Sequence, residues 1–145
     1  MTLLEHKHLI VRAEVLDPPS DEKQTSEQVT DLIERIGMTI LMGPYAKYCD
    51  MKGNRGLTVA TIIETSHVVM HTWDETDPAI IQLDVYTCGP LDPHTVIDWL
   101  SQYNPVRVDH KYLDREFGIK ELSTERPNNY STKEIVQAMD TILSR

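Results

Sequence analysis

Runs rich in β-branched residues dominate this chain, and helical spacing is confined to a few stretches. Residues 8–15 read as a first strand. Asp17-Pro18-Pro19-Ser20-Asp21 stops it, because proline fixes its own backbone and carries no amide hydrogen. Val29, Leu32, Ile33 and Ile36 then recur at i, i+3, i+4 and i+7, the apolar stripe of a helix. Thr25 or Ser26 is positioned to cap that helix, and Gly37 to close it. Residues 39–42 begin a second strand, interrupted at Gly43-Pro44 and continued over 45–48. Gly53-Asn54-Arg55-Gly56 reads as a turn or flexible loop. Residues 57–63 form a strand with Val59, Thr61 and Ile63 on one face, followed by strands at 67–73 and 80–87. Asp92-Pro93 opens a helix with proline in its first turn and Val96, Ile97 and Leu100 inward. Asn104-Pro105 ends it, and 106–113 is a further strand.

The order is β-α-β-β-β-β-α-β. Short hairpin connections between the strands predict an α+β fold: a two-layer sandwich of a mostly antiparallel sheet with two helices on one face. Past Gly118 the chain turns polar. Ser131 is placed to cap a C-terminal helix carrying Ile135, Ala138, Met139 and Ile142. The expected organisation is therefore a domain over 1–118 and an extension over 119–145.

Composition narrows the classes. At 145 residues the chain is the size of one domain. Its 40% hydrophobic and 26% charged residues are ordinary for a globular protein. A net charge of −9 argues against nucleic acid, which calls for a basic face, and is compatible with a cationic ligand. Cys49 and Cys88 show neither CxxC nor metal-ligand spacing. His6, His8, His94 and His110 form no ligand-spaced cluster, so no metal is expected. The N-terminal residues contain no apolar signal core, and no window has the length of a membrane span. The expected setting is the cytoplasm, without a membrane partner.

The chemistry-bearing segment is Glu64-Thr65-Ser66-His67-Val68-Val69-Met70-His71-Thr72-Trp73, followed by Thr87-Cys88-Gly89 at a strand end. A hydroxyl, two imidazoles and a thiol suit nucleophilic or proton-transfer work if neighbouring strands bring them together. On residue types alone, a serine beside histidines is more often structural, and geometry decides. Ser66 and His71 lie five residues apart, so a regular strand sends them to opposite faces unless it bulges.

Ser66-His67, His71-Thr72-Trp73, Glu75, Tyr86-Thr87-Cys88-Gly89 and Asp92-Pro93, with His8-Leu9 in the first strand, resemble the small bacterial and archaeal S-adenosylmethionine decarboxylase proenzymes. The resemblance spans roughly residues 7–118. It implies self-cleavage between Thr65 and Ser66, with Ser66 attacking the Thr65 carbonyl and ending as a covalent pyruvoyl group. That ketone would form a Schiff base with S-adenosylmethionine and accept electrons as carbon dioxide leaves, in polyamine (spermidine) biosynthesis. The resemblance assigns His71 to proton movement during processing, and imidazole suits that task near neutrality. It assigns Cys88 to protonating the decarboxylated carbon, Thr58 to assisting processing, Glu75 to the ribose hydroxyls and Tyr48 to stacking on adenine. It also implies a homodimer of processed protomers.

The chain departs from the family pattern at Thr65, where a Glu usually precedes the reactive serine. Asp74 replaces the proline after Trp73, and residues are added at 53–56 and between Trp73 and Cys88. Two further readings follow. One is a pyruvoyl-dependent decarboxylase of ornithine or arginine. The other is an uncleaved homologue that binds a nucleoside or polyamine or regulates a partner.

Overall fold

The computed structural model of the protein describes residues 5–124. The expected helix after Ser131 lies outside the described residues. Seven strands form one antiparallel sheet: β1 (Lys7–Val15), β2 (Ile40–Cys49), β3 (Gly56–Ile63), β4 (Ser66–Trp73), β5 (Ala79–Thr87), β6 (Pro105–Asp114) and β7 (Lys120–Leu122). Their order across the sheet is β2-β3-β4-β5-β1-β6-β7. Two helices, α1 (Glu22–Arg35) and α2 (Pro93–Leu100), the latter continued by a 3₁₀ turn, cover one face. The fold is thus the expected two-layer α+β arrangement.

Strand periodicity separates the faces. Leu9, Val11, Ala13 and Val15 of β1, Val68 and Met70 of β4, and Ile81, Leu83 and Val85 of β5 are all buried. They meet Val29, Leu32 and Ile33 of α1 and Val96, Ile97 and Leu100 of α2, also buried. Each of the valine, leucine, isoleucine and methionine side chains contributes roughly 1.5–3 kcal/mol, so the helix-covered face carries the stability. The alternate residues form an open face, and Ile10 and Ile62 on it remain 43% and 48% exposed. The helices are stitched as well as packed: Trp99 Nε1 donates to the Gln28 carbonyl at 2.9 Å and the Tyr103 hydroxyl to Gln28 Oε1 at 2.6 Å.

Several local expectations change. The cap of α1 is Asp21, whose carboxylate accepts from the Gln24 amide at 2.7 Å, rather than Thr25 or Ser26. Thr25 is instead buried within the first turns of the helix. Gly43-Pro44 does not break β2; a cis peptide and two register shifts carry the strand past it. β7, unforeseen because three residues carry too little pattern, adds residues just past Gly118 to the sheet edge beside β6. Among the described residues no helix is long and apolar enough to cross a membrane.

Gly56 is fixed by close approach. The Thr72 hydroxyl accepts from the Leu57 amide at 2.7 Å and donates back to the Leu57 carbonyl at 3.2 Å, drawing β3 onto β4. A Cβ on residue 56 would stand 1.8 Å from the Thr72 carbonyl oxygen. Gly56→Ala therefore lowers the unfolding free energy by about 3 kcal/mol, the upper part of the overpacking range, as denaturant titration will show. A loss below the scatter of surface substitutions would contradict this contact.

His110 provides a second check. Burial, and then its neighbour His94, lower its pKa from the ordinary 6.5. The unfolded chain therefore takes up this proton more readily, and stability falls as pH drops below about 6.5. Denaturation midpoints followed from pH 7.5 towards pH 5 will show that fall, and His110→Gln will flatten it.

Candidate active site

β3 and β4 are joined by a two-residue turn, with Ile63 paired to Ser66 and only Glu64 and Thr65 between them. Thr65 adopts φ +50°, in the left-handed region where a β-branched side chain crowds its own backbone. The Glu64 carbonyl faces back across the turn and accepts from Thr65 Oγ1 at 2.9 Å, Ser66 Oγ at 2.8 Å and Cys88 Sγ at 3.0 Å. Cys88 reaches it from the end of β5, which pairs with β4 from His67–Tyr86 to Trp73–Ile80. Ser66 and Cys88, 22 residues apart in sequence, thus share one acceptor at one end of the sheet. Both cysteines are free thiols.

His71 lies elsewhere. β4 runs opposite β3 and β5 without a register shift, so no bulge turns Ser66 towards it. Five residues of strand place the two roughly 17 Å apart. His71 is on the open face, where Thr58 on β3 stands directly opposite and the Thr58 hydroxyl meets His71 Nδ1 at 2.9 Å. The expected residues therefore form two groups within one chain: Ser66 with Cys88 and Thr65, and His71 with Thr58.

Tyr48 and Glu75 belong to a third group at the far end of β4. The Tyr48 hydroxyl donates to both oxygens of Asp74 at 2.9 and 3.0 Å, and that carboxylate raises the phenol's pKa. Glu75 accepts from the Gly53 amide at 2.8 Å and the Arg55 amide at 3.0 Å. Trp73 Nε1 donates to Asn54 Oδ1 at 2.8 Å. Of the two expectations for residues 53–56, turn or flexible loop, the structure shows the turn, built around Glu75.

The open face carries a cavity of about 780 Å³ lined in part by Ile10, Arg12, His67, His71, Gln82 and Asp84. Here the structure assembles a cluster that spacing did not disclose. His8 Nε2 and His67 Nε2 lie 2.7 and 2.9 Å from the same Asp84 Oδ1. This trio is the one group among the described residues with three ligand atoms close enough to hold a metal. Its only trace in the sequence is that all three residues take the polar phase of their strands; their register across β1, β5 and β4 could not be read from spacing.

Fold and site together define a class: a two-layer α+β protein with a hydroxyl and a thiol gathered at one hairpin turn of its sheet. Residues 7–116 match the S-adenosylmethionine decarboxylase family, and the chain belongs to that family. It is 44% identical over 62 residues to the S-adenosylmethionine decarboxylase proenzyme of Pyrobaculum aerophilum, covering 41% of this chain and 48% of that protein. It is 30% identical over 106 residues to the proenzyme of that name from Pyrococcus horikoshii, covering 71% of this chain and 72% of the relative. The chain thus spans about half the length of the Pyrobaculum relative and more of the Pyrococcus one. The crystal structure of the adenosylmethionine decarboxylase from Aquifex aeolicus VF5 is similar in fold, with a TM-score of 0.58 at 23% identity over 86% of this chain and all of that one.

The left-handed Thr65 gives a direct test of local strain. Asparagine tolerates this backbone, so Thr65→Asn, introduced beside Ser66→Ala to keep the chain whole, raises the unfolding free energy by about 1 kcal/mol. Denaturant titration reads the difference; equal or lower stability would show that the turn is unstrained.

Proposed function

We propose that the chain cuts itself between Thr65 and Ser66 and then decarboxylates S-adenosylmethionine, supplying aminopropyl groups for polyamine synthesis. The observation that carries this is the convergence of Ser66 and Cys88 on the Glu64 carbonyl, beside the strained Thr65. The Thr65 carbonyl carbon is one peptide bond from Ser66 N, within reach of the Ser66 hydroxyl by rotation about its own side-chain bond. Attack there exchanges the peptide for an ester and frees the amine. Loss of the Ser66 α-proton then expels the Thr65 carboxylate, and water replaces the nitrogen as ammonia to leave a pyruvoyl terminus. Relief of the left-handed backbone at Thr65 favours the cut.

The residues present fit that group: it forms from Ser66 and stays attached to His67, with the Cys88 thiol beside it. When formed it supplies a ketone that engages a substrate amine and withdraws electrons as carbon dioxide departs. Cys88 donates its S–H to a carbonyl in the uncut chain, which places a proton donor at this end of the sheet. Protonation of the decarboxylated carbon is its role.

His71 and Thr58 are too far from Ser66 to serve it in the same chain. The protein acts as a homodimer in which the open face of one copy, with His71 and Thr58, meets the strand ends of the other that carry Ser66 and Cys88. Supporting this are the partly exposed Ile10 and Ile62 on that face and the separation of the two groups along β4. A second substrate reading, ornithine or arginine, is favoured by one observation: the Glu75 oxygens already accept loop amides, which leaves them less free for ribose hydroxyls.

Carbon dioxide release from S-adenosylmethionine, ornithine and arginine separates these outcomes. The proposal expects release from the first alone, none from Ser66→Ala, and release at least about a hundredfold slower from a cut Cys88→Ala chain. Release from ornithine or arginine instead would move the substrate assignment. Co-expression tests the shared site: His71→Ala chains are cut when Ser66→Ala chains accompany them and stay whole alone.

A further inference from the structure

The pyruvoyl-bearing residue needs an anchor that the uncut chain does not. Severing the Glu64–Thr65 turn removes the covalent closure between β3 and β4 and makes the start of β4 a chain end. Chain ends fray unless something ties them down. The group formed from Ser66 hangs on the amide of His67, so the order of His67 sets the order of the group.

His67 is tied by side chains across three strands and to the segment that follows β6. Its Nε2 meets Asp84 Oδ1 on β5 at 2.9 Å, and the same oxygen meets His8 Nε2 on β1 at 2.7 Å. Arg115, just past the end of β6, approaches His8 Nδ1 at 3.1 Å and lies 4.5 Å over the Tyr86 ring. Tyr86 is flanked by both imidazoles, with centroids 5.3 Å from His8 and 5.6 Å from His67. The Arg115 end is itself held, because its amide donates to the His6 carbonyl at 2.9 Å and Lys7 pairs with Glu116 at 2.7 Å.

The arrangement also decides between an anchor and a metal site. Arginine only donates, so His8 Nδ1 accepts and the His8 proton sits on Nε2, aimed at Asp84. A metal at this trio would need the Nε2 lone pair of His8 and an Nδ1 proton facing the guanidinium, where two donors would oppose each other. The chemistry present is one carboxylate oxygen receiving two imidazole N–H groups.

We propose that the Asp84 bridge between His67 and His8, backed by Arg115 and Tyr86, anchors the new chain end and so positions the group that Ser66 becomes. Asp84 is a positioning residue, and its effect is specific to the cut chain. The proposal rests on the cleavage reading for its use, but its physical content can be tested separately. A protease-cleavable segment placed between Glu64 and Ser66 allows the turn to be nicked whether or not the chain cuts itself.

Amide hydrogen exchange over residues 67–70 is the readout, before and after the nick, with intact mass reporting the cut. With Asp84 present these amides stay protected after nicking. With Asp84→Asn they exchange roughly tenfold faster once nicked, the cost of a charge-assisted hydrogen bond, and are unchanged before it. In self-cut protein Asp84→Asn lowers kcat about tenfold or more while KM holds, since misplacement and not binding is affected. Equal protection in the nicked Asp84→Asn and parent chains would overturn the anchor, as would zinc chloride binding at one ion per chain through His8, His67 and Asp84. A wild-type chain that never cuts itself would instead defeat the cleavage reading while leaving the exchange result to stand. Should Asp84→Asn fail to fold, His67→Gln carries the same exchange test.

Discussion

Three donors compete for the carbonyl oxygen of Glu64, which has only two lone pairs. The Ser66 and Thr65 hydroxyls and the Cys88 thiol all lie at hydrogen-bond distance from it. Two lone pairs cannot hold all three donors fully at once, although the Ser66 hydroxyl makes the shortest of the three contacts, at 2.8 Å. That competition exists because the turn between β3 and β4 has only two residues and forces Thr65 into a left-handed backbone. The rest of the sheet gives the turn no room to relax, since β4 is paired on both sides along its length.

The strict alternation of the strands has a second consequence. One face is spent on the core with α1 and α2, so polar chemistry can be built only at the strand ends and on the open face. The strand ends took Ser66 with Cys88. The open face took the pair His71 and Thr58 and the cluster of His8, His67 and Asp84. Bringing Ser66 and His71 to one reaction within a chain would require a bulge in β4, and there is none. In the proposed homodimer the two groups meet between copies, and the sheet needs no distortion.

Much of this was legible in the sequence because it depends on local pattern. The period of two along residues 57–63 set Val59, Thr61 and Ile63 on one face, and all three are buried; Asp92-Pro93 marked the start of α2. Parity along β4 already indicated that Ser66 and His71 face apart. What remained hidden depends on strand register and on loop docking. His8, His67 and Asp84 are separated by dozens of residues and meet only because β4, β5 and β1 lie side by side. Glu75 meets the amides of Gly53 and Arg55 through a loop path that no periodicity describes. Asp21 replaced the expected caps because its carboxylate precedes the first turn, where Thr25 is already helical and buried.

The chemistry proposed for this site turns on what becomes of the bond between Thr65 and Ser66. The mass of the purified chain under denaturing conditions measures it directly. Two fragments are expected, one ending at Thr65 and one beginning with a pyruvoyl group in place of Ser66 and therefore blocked to amino-terminal sequencing. A single fragment of full length, unreactive towards ketone reagents, would contradict the account.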